Sequence, residues 1–111
     1  RNSDFQAFVS LNGGNADPDG YLYRTFHSTG ATNVYQYDDA TVDTLLDRGR
    51  TTADDAARFA TYAELQRILA CQGPVAHIAY ATLFSGVREN VDGFRQMPTR
   101  GMRYLRETSL D

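Results

Sequence analysis

The chain has 111 residues and a single cysteine, Cys71, which excludes an internal disulfide and any metal site built from several cysteines. Cys71 lies near the apolar end of a predicted helix, so we expect a small buried side chain there. No apolar run approaches the roughly 20 residues that a membrane-spanning helix requires. The length and the apolar fraction of 41% are typical of one globular domain.

Lysine is absent, and all eleven basic residues are arginine. The net charge is −3, with acidic and basic side chains interspersed along the chain. A nucleic-acid-binding domain normally shows a basic patch or stripe, so we expect no nucleic-acid partner. The first residues, Arg1-Asn2-Ser3, include no initiator methionine and no signal peptide. We therefore expect a piece of a longer polypeptide, with any targeting signal in the missing part.

Three segments have the pattern of strands. Residues 4–11 alternate between apolar and mixed positions, which predicts a half-buried strand. Residues 75–84 are nearly all apolar and too short for a buried helix, so a covered strand is expected. Residues 104–108 predict a last short strand after the turns and loops of residues 87–102.

Two main helices are predicted between these strands. The first begins at Asp38 or Asp39 and ends at Gly49. The second begins at Thr52 and ends at Gly73-Pro74. The predicted apolar faces are Val42, Leu45 and Leu46 in the first helix, and Phe59, Tyr62, Leu65, Ile68 and Leu69 in the second. The sequence therefore predicts the α/β class, with a small mixed sheet and two main helices.

A polar, turn-forming loop follows the first predicted strand and continues through Asp17-Pro-Asp-Gly20. In α/β proteins such loops commonly hold ligands. The acidic spacing also imitates the start of a calcium loop, but the twelfth position is Phe26 and Pro18 interrupts the ligand series. A proline–glycine turn is the better interpretation. Residues 21–26 form either a short helix or an irregular aromatic segment, and residues 28–37 form a loop.

No catalytic or metal-binding pattern is present. His27 and His77 lie fifty positions apart without the spacing of a joint site, and we expect His77 to be a satisfied core or cleft residue. The serines lack the context of a nucleophile. Helix capping explains the paired aspartates at 38–39 and 54–55. We therefore expect a non-enzymatic protein without catalytic residues, metal or cofactor.

The order of segments resembles the C-terminal part of extracytoplasmic solute-binding proteins of peptide/nickel-type ABC transporters (family 5 substrate-binding proteins). The resemblance covers essentially the whole chain. The matching segments, in order, are Gly-Asn-Ala-Asp-Pro-Asp-Gly-Tyr-Leu at 14–22, Phe26, Tyr37-Asp38-Asp39, Leu45-Leu46-Asp47, Arg58-x-x-x-Tyr62-x-Glu64-x-Gln66 and Val91-Asp-Gly-Phe94.

The resemblance implies part of a two-lobed, periplasmic-binding-protein-like fold that encloses a solute and docks on a membrane permease. Residues 1–111 would be its C-terminal portion, with about 1–80 ending one lobe and about 82–111 returning to the other. The solute would be peptide-like or another small polar molecule. The protein would lie outside the cytoplasm, in the periplasm or as a cell-surface lipoprotein. The isolated fragment would be prone to self-association through exposed apolar edges.

The resemblance also implies which residues line the ligand cleft, namely Asn12, Gly14, Asn15 and Tyr80. Peptide-binding members carry an aspartate, here aligned with Gly14, that pairs with the ammonium group of the peptide. Without that carboxylate a desolvated ammonium would be left unpaired, which leaves room for another solute. Leu11 and Ala81 replace aromatic residues of the family. The alternative is an independent small α/β protein-interaction domain without catalysis.

Overall fold

The computed structural model describes residues 4–10, 16–97 and 103–110. Its elements, in chain order, are the helices α1 (Asp19–Phe26), α2 (Ala40–Thr51) and α3 (Asp55–Gln72), the strand β1 (Val91–Asp92), a 3-10 helix (Arg103–Glu107) and the strand β2 (Ser109–Leu110). The chain divides into two compact units, Arg1–His77 and Ile78–Asp111. The three helices belong to the first unit and both strands to the second. The predicted α/β class is therefore confirmed to the extent that the chain contains both helices and a small sheet.

The first unit has a hydrophobic core where α2 packs against α1 and α3. Val42, Leu46 and Leu65 are completely buried in it. The other core members are Phe26, Leu45 and Tyr62. Apolar residues at helical spacing place one face of each helix toward this core, as the sequence predicted for α2.

Aspartate side chains set the starts of both main helices. The Asp39 carboxylate accepts hydrogen bonds from the backbone N–H groups of Thr41 at 2.8 Å and Val42 at 3.1 Å. Asp39, rather than Asp38, is therefore the N-cap of α2. The N-cap of α3 is Asp54, so the predicted start at Thr52 was wrong. The Thr52 hydroxyl instead donates to the Arg48 carbonyl and closes α2.

Gly49 does not end its helix, because α2 continues to Thr51. The glycine is buried against α3, and a Cβ at this position would lie 2.8 Å from the Tyr62 ring carbon Cζ. A glycine is needed here for close packing rather than for a left-handed turn. The predicted end of α3 is confirmed, with Gly73 as its C-cap.

The predicted face of α3 is correct for Tyr62 and Leu65, which are buried, whereas Phe59 is 78% exposed. Each helical residue advances about 100° around the axis. Residue 58 falls on the same face as Tyr62 and Leu65, and residue 59 falls about 90° from the centre of that face. Arg58 thus takes the half-buried position in the first turn. Ile68 and Leu69 pack against the core while partly buried.

The first two predicted strands are absent from the described residues. Residues 4–10 form no strand and are exposed, although the Phe8 ring stacks on Tyr35 with centroids 5.6 Å apart. Residues 75–84 also have no regular structure, and Ile78 and Phe84 are 82% and 89% exposed. A strand is stable only when a neighbouring strand satisfies its backbone groups. Among the described residues, neither segment has such a neighbour.

The predicted strand at 104–108 was also wrong, because most of it lies in the 3-10 helix and the strand follows it. In the second unit, β1 and β2 pair antiparallel, with Val91 opposite Leu110. Gly93 has φ +74°, a conformation that favours glycine, directly after β1. The Arg95 guanidinium donates to the Glu107 carboxylate at 2.9 Å.

The expectations of a buried Cys71 and of a core position for His77 were wrong, because both side chains are exposed. A place for His77 in a ligand cleft stays a prediction. Cys71 lies in the last turn of α3, outside the face that packs on α2. His77 follows α3 in a segment without regular structure. An apolar neighbourhood in sequence did not translate into burial at either position.

Candidate functional site

The predicted ligand-binding residues are only partly within the described structure. Asn12, Gly14 and Asn15 lie outside the described residues, so their role stays a prediction. Tyr80 is described and lies in the irregular segment of the second unit, where its side chain is 93% exposed. Its ring is accessible for stacking, and its place in a ligand cleft also stays a prediction.

The segment directly after residue 15 is anchored by two arginine–aspartate contacts. Arg58 Nη2 donates to both carboxylate oxygens of Asp17, at 2.8 and 3.0 Å. Arg50 binds Asp19 in a bidentate manner, with Nε and Nη2 each 3.0 Å from one carboxylate oxygen. The two carboxylates that imitate a calcium loop are therefore partners of guanidinium groups. Bidentate pairs of this kind fix orientation as well as distance.

Local folding explains why these groups meet. The Asp17 carboxylate accepts the backbone N–H of Asp19 at 2.8 Å and shapes the turn that leads into α1. Arg50 lies in the last turn of α2, and Arg58 in the first turns of α3. Helix packing brings these two turns together beside the start of α1.

Aromatic rings support both guanidinium groups. The Arg50 guanidinium carbon lies 3.5 Å from the centroid of the Tyr23 ring, and that of Arg58 lies 5.0 Å from the Tyr62 ring. Such cation–π contacts hold a guanidinium group over a ring face. Arg58 Nε also donates to the Gly49 carbonyl at 2.9 Å. Arg58 therefore joins the turn before α1, the end of α2 and the start of α3.

The contacts shift the pKa values of the groups involved. The hydrogen bond from Arg58 holds the pKa of Asp17 below 3.8, its ordinary value, with a further contribution from the Asp19 N–H. The hydrogen bonds that Arg50 and Arg58 donate to their carboxylate partners raise the pKa values of both arginines. Burial raises the pKa of Tyr62. At neutral pH the pair of Asp17 and Arg58 is therefore charged.

A second polar cluster surrounds His27 after α1. The His27 ring is buried and stacks on Tyr23, and its Nδ1 accepts the backbone N–H of Thr29 at 3.1 Å. The Ser28 hydroxyl donates to Asp43 rather than to a histidine. A nucleophilic serine needs a histidine base within hydrogen-bond reach, so this cluster is not a Ser-His-Asp triad. The contact between Ser28 and Asp43 holds the loop after α1 against α2.

Across residues 4–10, 16–97 and 103–110, no group of three or more His, Cys, Asp or Glu side chains has a geometry that could hold a metal ion. Within the same ranges, no helix combines the length and the apolar character needed to cross a membrane.

The two arginines were not identified as anchors from the sequence. The end of a helix favours a basic side chain such as that of Arg50, and Arg58 is one position of the family resemblance. The partners are 31 and 41 residues apart along the chain, for Arg50–Asp19 and Arg58–Asp17. No local pattern encodes a pairing over such separations. The sequence does offer one signal for Arg58. It lies four residues, or about one helical turn, before Tyr62, which places it on the core-facing side of the helix.

Comparison with known proteins found related sequences, although no family model matches the chain. The chain is 32% identical over 88 residues to a dipeptide-binding protein of Pseudomonas aeruginosa strain PAO1, which covers 78% of this chain and 16% of that protein. It is 30% identical over 104 residues to di/tripeptide-binding protein 1 of P. aeruginosa strain UCBPP-PA14, covering 92% of this chain and 19% of that protein.

A third relative comes from a different bacterium. Protein XP55 of Streptomyces lividans is 42% identical over 57 residues, which is 48% of this chain and 10% of that protein. The chain thus spans 16% and 19% of the length of the two Pseudomonas relatives. It is distantly similar to part of bacterial peptide-binding proteins.

Proposed function

We propose that the chain is the C-terminal portion of the substrate-binding component of an ABC import system. The observation that carries this proposal is the similarity to dipeptide- and di/tripeptide-binding proteins, which extends over 78% and 92% of the chain. In this proposal the protein works outside the cytoplasm, captures a solute between two lobes and delivers it to a membrane permease. It performs no catalysis and needs no cofactor.

Closure of the two lobes is the proposed mechanism. Residues up to about 80 would end one lobe, and residues from about 82 would return to the other. A solute that contacts both lobes binds the closed state more tightly and shifts the population toward it. Asn12 and Asn15 would hydrogen-bond a polar solute, and the Tyr80 ring would stack on it. The exposure of Tyr80 supports a ring that is open to a ligand.

Two classes of solute fit different observations. The names of the relatives favour short peptides. Gly14 favours a solute without a free ammonium group, because a glycine offers no carboxylate to a desolvated cation. N-acetylated dipeptides separate the two features, since they keep the peptide bond and remove the ammonium charge.

A thermal-shift measurement on the full-length protein tests the proposal. The panel contains dipeptides, their N-acetylated forms, sugars and metal–chelate complexes. A solute at about 100 times its Kd stabilises the folded state by about 2.7 kcal/mol, which a melting curve detects. We expect at least one solute to raise the Tm, and free dipeptides not to give the largest shift. If no solute raises the Tm, the proposal fails, and if a free dipeptide gives the largest shift, the interpretation of Gly14 fails.

The alternative is an independent protein-interaction domain. Its support is the exposed apolar segment that contains Ile78, Tyr80 and Phe84. A severed lobe would self-associate through such a surface, whereas an independent domain would be monomeric and unfold cooperatively. Sedimentation of the 111-residue chain separates the two. We expect self-association, and a monomer with one sharp unfolding transition would favour the alternative.

A further inference from the structure

The contacts after residue 15 point to a role for two residues that the resemblance leaves without one. We propose that Arg58 and Arg50 are positioning residues that fix the carboxyl-terminal end of the predicted ligand-binding loop. This inference rests on the proposed function for the meaning of the loop. The contacts themselves lie entirely within the first unit.

Arg58 connects α3 to two other segments of the first unit. Its Nη2 binds the Asp17 carboxylate, and its Nε binds the Gly49 carbonyl. Asp17 is the second residue after Asn15, so the contact fixes the chain directly after the predicted ligand-binding residues. The two bonds use different nitrogens of one planar fork, which a lysine ammonium cannot reproduce in the same arrangement. The role therefore depends on the shape of the arginine as well as on its charge.

Arg50 contacts two successive turns of α1. It binds Asp19 through two parallel hydrogen bonds and covers the face of Tyr23. Asp19 and Tyr23 both belong to α1, one turn apart. Arg50 therefore holds both the orientation and the rotation of α1 against α2. Together, the two arginines hold the residues that follow the loop at three points.

If these arginine–aspartate pairs had only a general structural role, their removal would destabilise the whole first unit. The guanidinium groups and carboxylates are partly exposed, with 60% of the Asp17 side chain accessible. Exposed ion pairs contribute little to global stability because solvent screens them. The hydrophobic core lies among other residues, including Leu46 and Leu65. Removing Arg58 should thus loosen residues 16–20 while leaving α2 and α3 intact.

Amide hydrogen exchange on the full-length protein tests this inference without requiring a known solute. The variants are Arg58→Gln, Arg58→Lys and Asp17→Asn. The matched control is Arg48→Gln, which breaks an exposed pair between Arg48 and Glu64 at 3.1 Å on the same two helices. We expect exchange in residues 16–20 to accelerate by about tenfold in Arg58→Gln and Asp17→Asn, as expected for local opening. The control should leave that segment unchanged.

Each result has a defined meaning. Unchanged exchange at residues 16–20 in both Arg58→Gln and Asp17→Asn overturns the inference. Equal acceleration throughout α2 and α3 also overturns it, because it shows a general structural role. Arg58→Lys should resemble Arg58→Gln, whereas wild-type exchange in Arg58→Lys would show that charge alone suffices.

Calorimetric titration then links the contact to binding. With the solute that gives the largest thermal shift, Arg58→Gln should lose affinity on the order of tenfold, because a loop that is not pre-positioned must be ordered on binding. Arg48→Gln should bind like wild type. If wild type binds no solute, the proposed function fails, while the exchange result still decides whether Arg58 positions the segment.

Discussion

The two units of the chain differ in their regular structure and in the burial of their apolar side chains. In the first unit, three helices satisfy their own backbone groups and share a core around Leu46 and Leu65. In the second, the strands are two residues long, and large apolar side chains such as Ile78 and Phe84 are exposed. Residues of similar hydrophobicity thus have opposite environments. The difference shows that apolar content alone does not produce a core, because each buried face requires a partner face.

The comparison predicts its largest contrast for truncation of apolar side chains. Leu46→Ala should lower the free energy of unfolding by about 3 kcal/mol, because Leu46 is completely buried and truncation leaves a cavity. Ile78→Ala, at a residue that is 82% exposed, should change it by less than about 0.5 kcal/mol. Urea unfolding of the 111-residue chain measures both. Equal losses at the two positions would show that the second unit has a core of its own.

Two glycines provide a second contrast between the units. A Cβ at Gly49 would lie 2.8 Å from the Tyr62 ring, whereas a Cβ at Gly86 meets nothing within 4 Å. In Gly49→Ala, an overpacking cost of about 1–3 kcal/mol should exceed the gain in helix propensity of roughly 1 kcal/mol. The net effect should be a loss of about 1 kcal/mol. Gly86→Ala should be nearly neutral in the same unfolding experiment, and a stabilised Gly49→Ala would show that Tyr62 moves freely.

The sequence predicted the helices better than the strands for a physical reason. A helix is encoded by nearby residues: a capping aspartate, an apolar residue every three or four positions and a terminal glycine. Asp39, Leu46 and Gly73 each provided such a signal, and the structure confirms all three. The errors at Gly49 and Thr52 concern boundaries, where tertiary packing and competing hydrogen bonds decide.

Strands depend on partners that the local pattern does not specify. The alternation at residues 4–10 is compatible with a strand, but none of the described residues forms a neighbouring strand for it. The candidate site shows the same limit. The sequence indicated the loop and Tyr80 through family resemblance, while the anchoring by Arg50 and Arg58 depends on contacts across 31 and 41 residues.

A smaller contrast tests the local signal at the start of α2. Asp39→Ala should lower the free energy of unfolding by about 1 kcal/mol, because the N–H groups of Thr41 and Val42 lose their acceptor. The neighbouring Asp38→Ala keeps the charge change and leaves the cap in place, so its effect should be close to zero. Thermal unfolding of both variants gives the comparison. A larger loss in Asp38→Ala would contradict the assignment of Asp39 as the cap.

The smallest expected effect is a change in the titration of Asp17. Its pKa lies below 3.8 because Arg58 donates to the charged carboxylate. The folded-state pKa is thus below the unfolded value, so this contact stabilises the fold above pH 3.8 and is lost as the pH falls through the lower, folded-state value. In Arg58→Gln the pKa of Asp17 should rise toward 3.8. An NMR titration of the carboxyl carbon measures it, and an unchanged pKa would show that the contact is not formed in solution.

Calorimetric titration of side-chain variants tests the central claim, that this chain forms one wall of a solute-binding cleft. The best solute from the thermal-shift panel is titrated into full-length wild type, Tyr80→Ala and the matched control Phe59→Ala, which removes another exposed aromatic ring. We predict that Tyr80→Ala weakens binding by about tenfold or more and that Phe59→Ala binds like wild type. Wild-type affinity in Tyr80→Ala, or the absence of binding heat for every solute tested, would contradict the account.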